Sequence, residues 1–232
     1  MHTGGVARVI AGEAGGRRLA VPAGRDTRPT SDRAREGLFA TVASLVGPLD
    51  GARVLDLYAG SGAVGLEALS RGAAHVLLVE SGPRAVRVIK QNIAALTLPG
   101  AVLAADRVER VLARGPGPAS APDQGTGEAP DQGTGADDPD AARYDVVFAD
   151  PPYAIPDADV SSMLTSLAEH GWLAPGALVI VERATRSGPM RWPGGFTPDR
   201  DRRYGEATFW YGLAPAAHDT TQPVASGEAA KP

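Results

Sequence analysis

The sequence predicts an α/β domain built on a mostly parallel, doubly wound sheet, and three observations predict it. Short apolar runs alternate with stretches of helical periodicity. The runs are apolar nearly throughout, as strands covered on both faces are. A glycine-rich turn joins the first of these runs directly to the helix after it.

In order, Ala52 to Tyr58 (ARVLDLY) reads as a buried strand, and Ala63 to Arg71 as a short helix ended by Gly72. His75 to Glu80 (HVLLVE) is a second strand. Pro83 to Leu96 is a helix with proline in its first turn, where the missing N–H costs nothing. Ala101 to Ala105 is a weaker third strand, followed by a short helix to about Arg114. Tyr144 to Asp150 (YDVVFAD) is a fourth strand, Asp157 to His170 a helix and Ala177 to Glu182 (ALVIVE) a fifth strand. Ala207 to Leu213 alternates in polarity, as an antiparallel terminal strand does.

The 232 residues suffice for one such domain with small attachments. Residues 1–36 read as a basic N-terminal arm, 37–213 as the main domain, and 214–232 as a disordered tail. Segment 115–142 reads as a disordered insertion: it is rich in Gly, Pro, Asp and Ala, and repeats APDQGTG at 121–127 and 129–135. Helices return to the opposite edge of a parallel sheet, so an insertion between the third helix and the fourth strand lies away from the ligand-binding edge.

Composition narrows the chemistry. The absence of cysteine excludes disulfides, thiolate metal ligands and cysteine nucleophiles, and suits a reducing compartment. The start lacks the apolar core of a signal peptide and no run approaches membrane-spanning length, so a soluble cytoplasmic protein is expected. His2, His75, His170 and His218 are widely spaced, and no metal is expected; Trp172, Trp192 and Trp210 read as packing residues. The net charge of -4 hides an uneven distribution. Residues 1–35 hold seven arginines against three acids, and 183–203 hold six against two. Six acids fall within 115–142 with no base among them; without them the chain would carry +2.

Four strand ends carry the chemistry. Asp56-Leu57-Tyr58-Ala59-Gly60-Ser61-Gly62-Ala63-Val64-Gly65 contains G-x-G-x-x-G, which alone would suit a dinucleotide. Asp56 before the glycines suits a cationic amino-acid ligand better than a pyrophosphate. Glu80 ends the second strand, placed to accept both ribose hydroxyls of an adenosine; a solvated strand end is the bland alternative. Asp106 follows the third strand and could accept from an adenine amino group. Asp150-Pro151-Pro152-Tyr153 ends the fourth strand. Two prolines fix φ and remove two donors, leaving carbonyl oxygens as acceptors. A carboxylate beside such a carbonyl can accept both hydrogens of an sp² amino group, and Tyr153 offers a face on which a flipped base can stack.

The pairing of DLYAGSG with DPPY resembles the amino-methyltransferases that use S-adenosylmethionine. Longer agreement is with the RsmD family: RVIAGEAGGRRL at 8–19, RPTSDRARE at 28–36, DLYAGSGAVGLEALSRGA at 56–73, FADPPY at 148–153 and GWLAPGALVIVE at 171–182. The resemblance implies a Rossmann-like class I methyltransferase that takes S-adenosylmethionine, releases S-adenosylhomocysteine, and methylates guanine N2 in 16S ribosomal RNA. It implies cofactor contacts along Asp56, Tyr58, Gly60, Ser61 and Gly62, with Glu80 on the ribose and Asp106 at the adenine. Asp150, Pro151, Pro152 and Tyr153 handle the base. Arg28, Thr30, Arg33 and Arg35 form a rim for cofactor or RNA. A small hairpin over 8–19 carries Arg17 and Arg18 to RNA phosphates. The implied partner is a partly assembled small subunit, with no membrane and a monomeric enzyme. Two alternatives stay open: a DNA adenine-N6 methyltransferase, and a non-catalytic RNA-binding module on the same scaffold.

Overall fold

The computed structural model describes residues 7–22, 31–117 and 142–216. A two-stranded antiparallel hairpin, β1 (Ala7–Arg8) with β2 (Arg18–Leu19), precedes helix α1 (Asp32–Val46). The main body then alternates β3 (Arg53–Leu57), α2 (Ala63–Ser70), β4 (His75–Val79), α3 (Pro83–Leu96), β5 (Ala101–Ala104), α4 (Val108–Leu112), β6 (Tyr144–Ala149), α5 (Asp157–Glu169) and β7 (Leu173–Ala184). Two further strands, β8 (Thr197–Tyr204) and β9 (Ala207–Leu213), finish it. The seven-stranded sheet runs in the order β5-β4-β3-β6-β7-β9-β8. Its first five members are parallel; β9 is antiparallel to β7, and β8 to β9. The doubly wound fold and its antiparallel terminal strand are therefore as the sequence predicts.

Alternation along the strands sends side chains to two separate cores. Val54, Val76, Leu78, Phe148 and Ile180 face α1, α2, α3 and the hairpin, whereas Leu55, Leu57, Val147, Val179 and Val181 face α4 and α5. Both faces being covered is what makes these runs apolar nearly throughout.

The hairpin is strapped to this body by polar groups. Glu67 of α2 is fully buried; it accepts from the N–H of Ile10 and of Ala11 at 2.6 and 3.0 Å and pairs with Arg71 at 2.8 Å. Gly12 passes so close to Ser70 that a Cβ there would lie 1.7 Å from the Ser70 carbonyl oxygen, so glycine is required. Asn92 of α3 then grips the chain beyond the hairpin: its side chain accepts from Ala20 N–H and donates to the carbonyls of Ala20 and Ser61. One amide thus fixes the arm against the glycine loop.

Two elements differ from the sequence reading. Helix α1 begins inside RPTSDRARE, with Ser31 as N-cap accepting from Ala34 N–H at 3.2 Å. Its buried stripe, Ala34, Leu38, Phe39 and Val42, is masked in the sequence by charged residues in the first turn. Strand β8 is a sheet edge with mostly exposed side chains, so it shows no apolar pattern. The repeat at 121–135 and the tail from 217 lie outside the described residues, and the insertion is seen only at its ends. Of those ends, Gly117 follows α4 and Ala142 leads into the amino end of β6, the opposite end of that strand from Asp150.

Candidate active site

At the carboxyl ends of the parallel strands lies a cleft of about 440 Å³. Continuing the pairing register by one residue past Val79, Leu57, Ala149 and Val181 gives the row Glu80, Tyr58, Asp150 and Glu182, and all four line the cleft. The fold therefore gathers side chains from four separate stretches of sequence onto one ledge. This is where open parallel sheets hold ligands.

Beneath the ledge, Asp56 is buried at the base of the glycine loop and accepts from Gly65 N–H at 2.9 Å. Burial pushes its carboxyl up to about 7; the Gly65 bond opposes the shift and the nearby Glu80 charge adds to it. Gly60 and Gly62 both adopt positive φ, 58° and 78°, which turns the chain from β3 into α2. Gly60 and Ser61 line the cleft, while Gly62 is the left-handed N-cap of α2. Glu80 is held by two backbone donors, Gly60 N–H at 2.9 Å and Gly82 N–H at 2.6 Å. A carboxylate fixed this way keeps its remaining lone pairs in a defined direction.

Across the cleft, Asp150 is held well above the usual carboxylate range, first by burial and then by the charges of Glu182 and Asp56. Pro151 and Pro152 follow it in the cleft wall, and Tyr153 stands 44% exposed at the mouth. That aromatic face is the larger of two exposed apolar groups among the described residues, the other being Val46. Arg183, just past Glu182, anchors this loop from the far face of the sheet by donating to the Ile155 carbonyl at 3.0 Å and to Asp157 at 2.7 Å. Tyr58 has φ 60°, and burial with the Glu109 and Asp159 charges lifts its phenol to about 12, so it stays protonated.

Four of the sequence-predicted residues sit differently. Asp106 does not line the cleft: its carboxylate accepts from Arg107 N–H at 2.8 Å and pairs with Arg114 at 2.7 Å, which holds it below the usual range. Arg35 is completely buried, donating to the Arg8 carbonyl and to Asp32, both at 2.7 Å, so it ties α1 to the hairpin and offers RNA no surface. Arg17 donates to the carbonyls of Leu96 and Ala95 and caps the end of α3. Gly62 shapes the turn from behind. Arg18 and Arg33 are exposed, and Arg28 and Thr30 lie outside the described residues. Sequence reasoning missed Glu182, Arg107, Glu109 and the arm residues Val21 and Pro22, all of which line the cleft. The position of Glu182 at the end of a parallel strand, like that of Glu80 and Asp150, was the available signal.

The family model described as conserved hypothetical protein 95 matches residues 7–120 and 132–212. Ribosomal RNA small subunit methyltransferase D of Escherichia coli strain K12 is 32% identical over 209 residues, 90% of each chain. Bacillus subtilis YlbH is 46% identical over 92 residues, which are 39% of this chain and 48% of that one. Among solved structures, a hypothetical protein of Thermus thermophilus superposes with a TM-score of 0.65 at 31% identity, over 91% of this chain and all of the other.

Proposed function

The chain belongs to the conserved hypothetical protein 95 family, the RsmD family, and on that premise we propose that it transfers a methyl group from S-adenosylmethionine to guanine N2 of 16S ribosomal RNA. The observation that carries this reading is the convergence of Asp150-Pro151-Pro152-Tyr153 and the glycine loop on one cleft, with an exposed aromatic ring at its mouth.

The cleft suits the cofactor. A sulfonium and an ammonium are cations, and Asp56 and Glu80 border the space. Glu80, already braced by two N–H groups, would hold the ribose, and Gly60 and Ser61 the methionine end. S-adenosylmethionine supplies an activated methyl group, so the protein needs to align the acceptor and exclude water rather than provide a strong base. Asp150 and the Pro151 carbonyl accept from the two amino hydrogens, countering delocalisation of the nitrogen lone pair into the ring. Tyr153 stacks on the base. The proton released from the methylated amino group passes to Asp150.

The substrate in this reading is a partly assembled small subunit and the enzyme is a cytoplasmic monomer. No helix among the described residues is long and apolar enough to cross a membrane, and none of their side chains group into a metal site. The test is methylation of subunits from cells lacking the endogenous activity, followed by nucleoside mass spectrometry. N2-methylguanosine in the 16S RNA is the expected product; N6-methyladenosine in DNA would reverse the reading in favour of an adenine enzyme.

A further inference from the structure

We infer that Glu182 is a specificity residue for the base: its carboxylate accepts the N1–H of guanine while Asp150 and the Pro151 carbonyl hold the adjoining amino group. This rests on the guanine-N2 reading and goes beyond it by assigning the residue that rejects other purines.

The placement comes from the sheet. Glu182 occupies the strand row of Asp150, on the neighbouring parallel strand, and both line the cleft. Its backbone is fixed, because β7 continues to Ala184 and pairs with β9 through Glu182↔Phe209 and Arg183↔Thr208. Glu182 is only 5% exposed. The strands packed around it bring Asp150 from β6, Asp56 from β3 and, in its own row across β9, Arg202 from β8.

Two carboxylates side by side suit one kind of ligand edge. Guanine presents N1–H and N2–H as adjacent donors, whereas adenine presents an amino group beside an acceptor nitrogen. An acceptor pair meets the first edge fully and leaves the second with two opposed lone pairs. Buried groups reject a mismatched edge more strongly than they reward a matched one, because an unmade bond costs the full desolvation. Asp150 is displaced upward in part by Glu182, as expected of acids close enough to bind one edge together.

The experiment uses the full chain and ribosomal RNA carrying either guanine or 2-aminopurine at the target nucleotide. 2-Aminopurine keeps the exocyclic amino group but has a bare acceptor at N1. Wild-type enzyme is expected to favour guanine in kcat/KM by roughly tenfold to a hundredfold, the range for a bond to a charged group. In Glu182→Gln, whose amide can donate to N1, that preference should shrink by about tenfold or more. The missing O6 of 2-aminopurine affects both enzymes alike and cancels in the ratio of ratios. Calorimetric binding of S-adenosylmethionine reports whether the variant is folded. Equal use of the two bases by wild type, which needs no variant, overturns the inference, as does an unchanged preference in a folded Glu182→Gln. If wild type makes N2-methylguanosine and either result is seen, only the inference falls; if its product is another nucleoside, both fall.

Discussion

In the proposed function single side chains divide the work of the cleft into base handling and cofactor handling, and substitution should separate the two. Asp150→Ala is expected to abolish methyl transfer while S-adenosylmethionine affinity stays within a few-fold; calorimetry and a transfer assay on one preparation decide it, and equal loss of both would sink the assignment. Glu80→Ala should do the reverse. It removes a carboxylate that also braces Gly60 and Gly82, and cofactor binding should weaken by about 1–3 kcal/mol. Asp56 carries a pH signature. Its native value of about 7 stands above the unfolded value of 3.8, so between these limits the native state binds more protons than the unfolded state. The Asp56 contribution to stability of the ligand-free protein should therefore fall as pH rises from about 4 to 7 and level off above; Asp150 acts in the same direction, while His75, lowered to about 4 by burial, acts in the opposite one. Asp56→Asn should accordingly shift the slope of stability against pH upward over this range relative to wild type. Denaturant unfolding at several pH values checks this, and an unaltered slope in the variant would mean that Asp56 titrates as an ordinary carboxylate.

Whole elements are legible in the sequence where their signal is local. Helix α3 is legible at its observed bounds, because Pro83 marks its start and the stripe through Ile89 and Leu96 is plain. The three motif-bearing strand ends are legible too, since a strand followed by glycines or prolines announces a loop. Side-chain partners supplied by distant elements are not. Arg17 and Arg35 sit in basic stretches that read as phosphate contacts, yet one caps α3 from 78 residues away and the other is sealed beneath the hairpin. Glu182 escapes a linear reading because only the register of β6 against β7 sets it beside Asp150. The hairpin arginines now make a contrast at the level of the element. Arg17→Ala should lower stability by about 1 kcal/mol, through two lost bonds to the last carbonyls of α3. Arg18→Ala should stay within about 0.5 kcal/mol, as exposed surface substitutions do. Thermal unfolding that ranks the two in the opposite order would remove the capping role.

At the scale of the molecule, charge and connectivity keep the cleft apart from the acidic insertion. Both ends of residues 115–142 are anchored at the amino edge of the sheet by bonds within the main body. Trp172 is buried beneath them, donates from its indole N–H to the Leu112 carbonyl at 2.9 Å and stacks on Tyr144; the Tyr144 N–H in turn donates to the Trp172 carbonyl. These bonds join α4, β6 and β7 without using any residue between 118 and 141. The active ledge lies at the other end of the same strands, about 20 Å away along a six-residue strand. Replacing residues 118–141 with a short Gly-Ser linker should accordingly leave the thermal midpoint within a few degrees, because loop-closure entropy changes only slowly with length. Cofactor affinity and turnover on the ribosomal substrate should also hold, although the segment carries all six acids whose removal takes the net charge from -4 to +2. The charge change offers a second readout: on the proposal that the exposed Arg18 and Arg33 neutralise RNA phosphates, they release counterions on binding, and acids release none. The slope of log KM against log salt should therefore match wild type in the deletion. In Arg18→Ala or Arg33→Ala it should drop by roughly 0.7 to 0.9 for each phosphate no longer neutralised. A deletion that cuts turnover on the subunit while sparing cofactor binding would make the insertion a docking element.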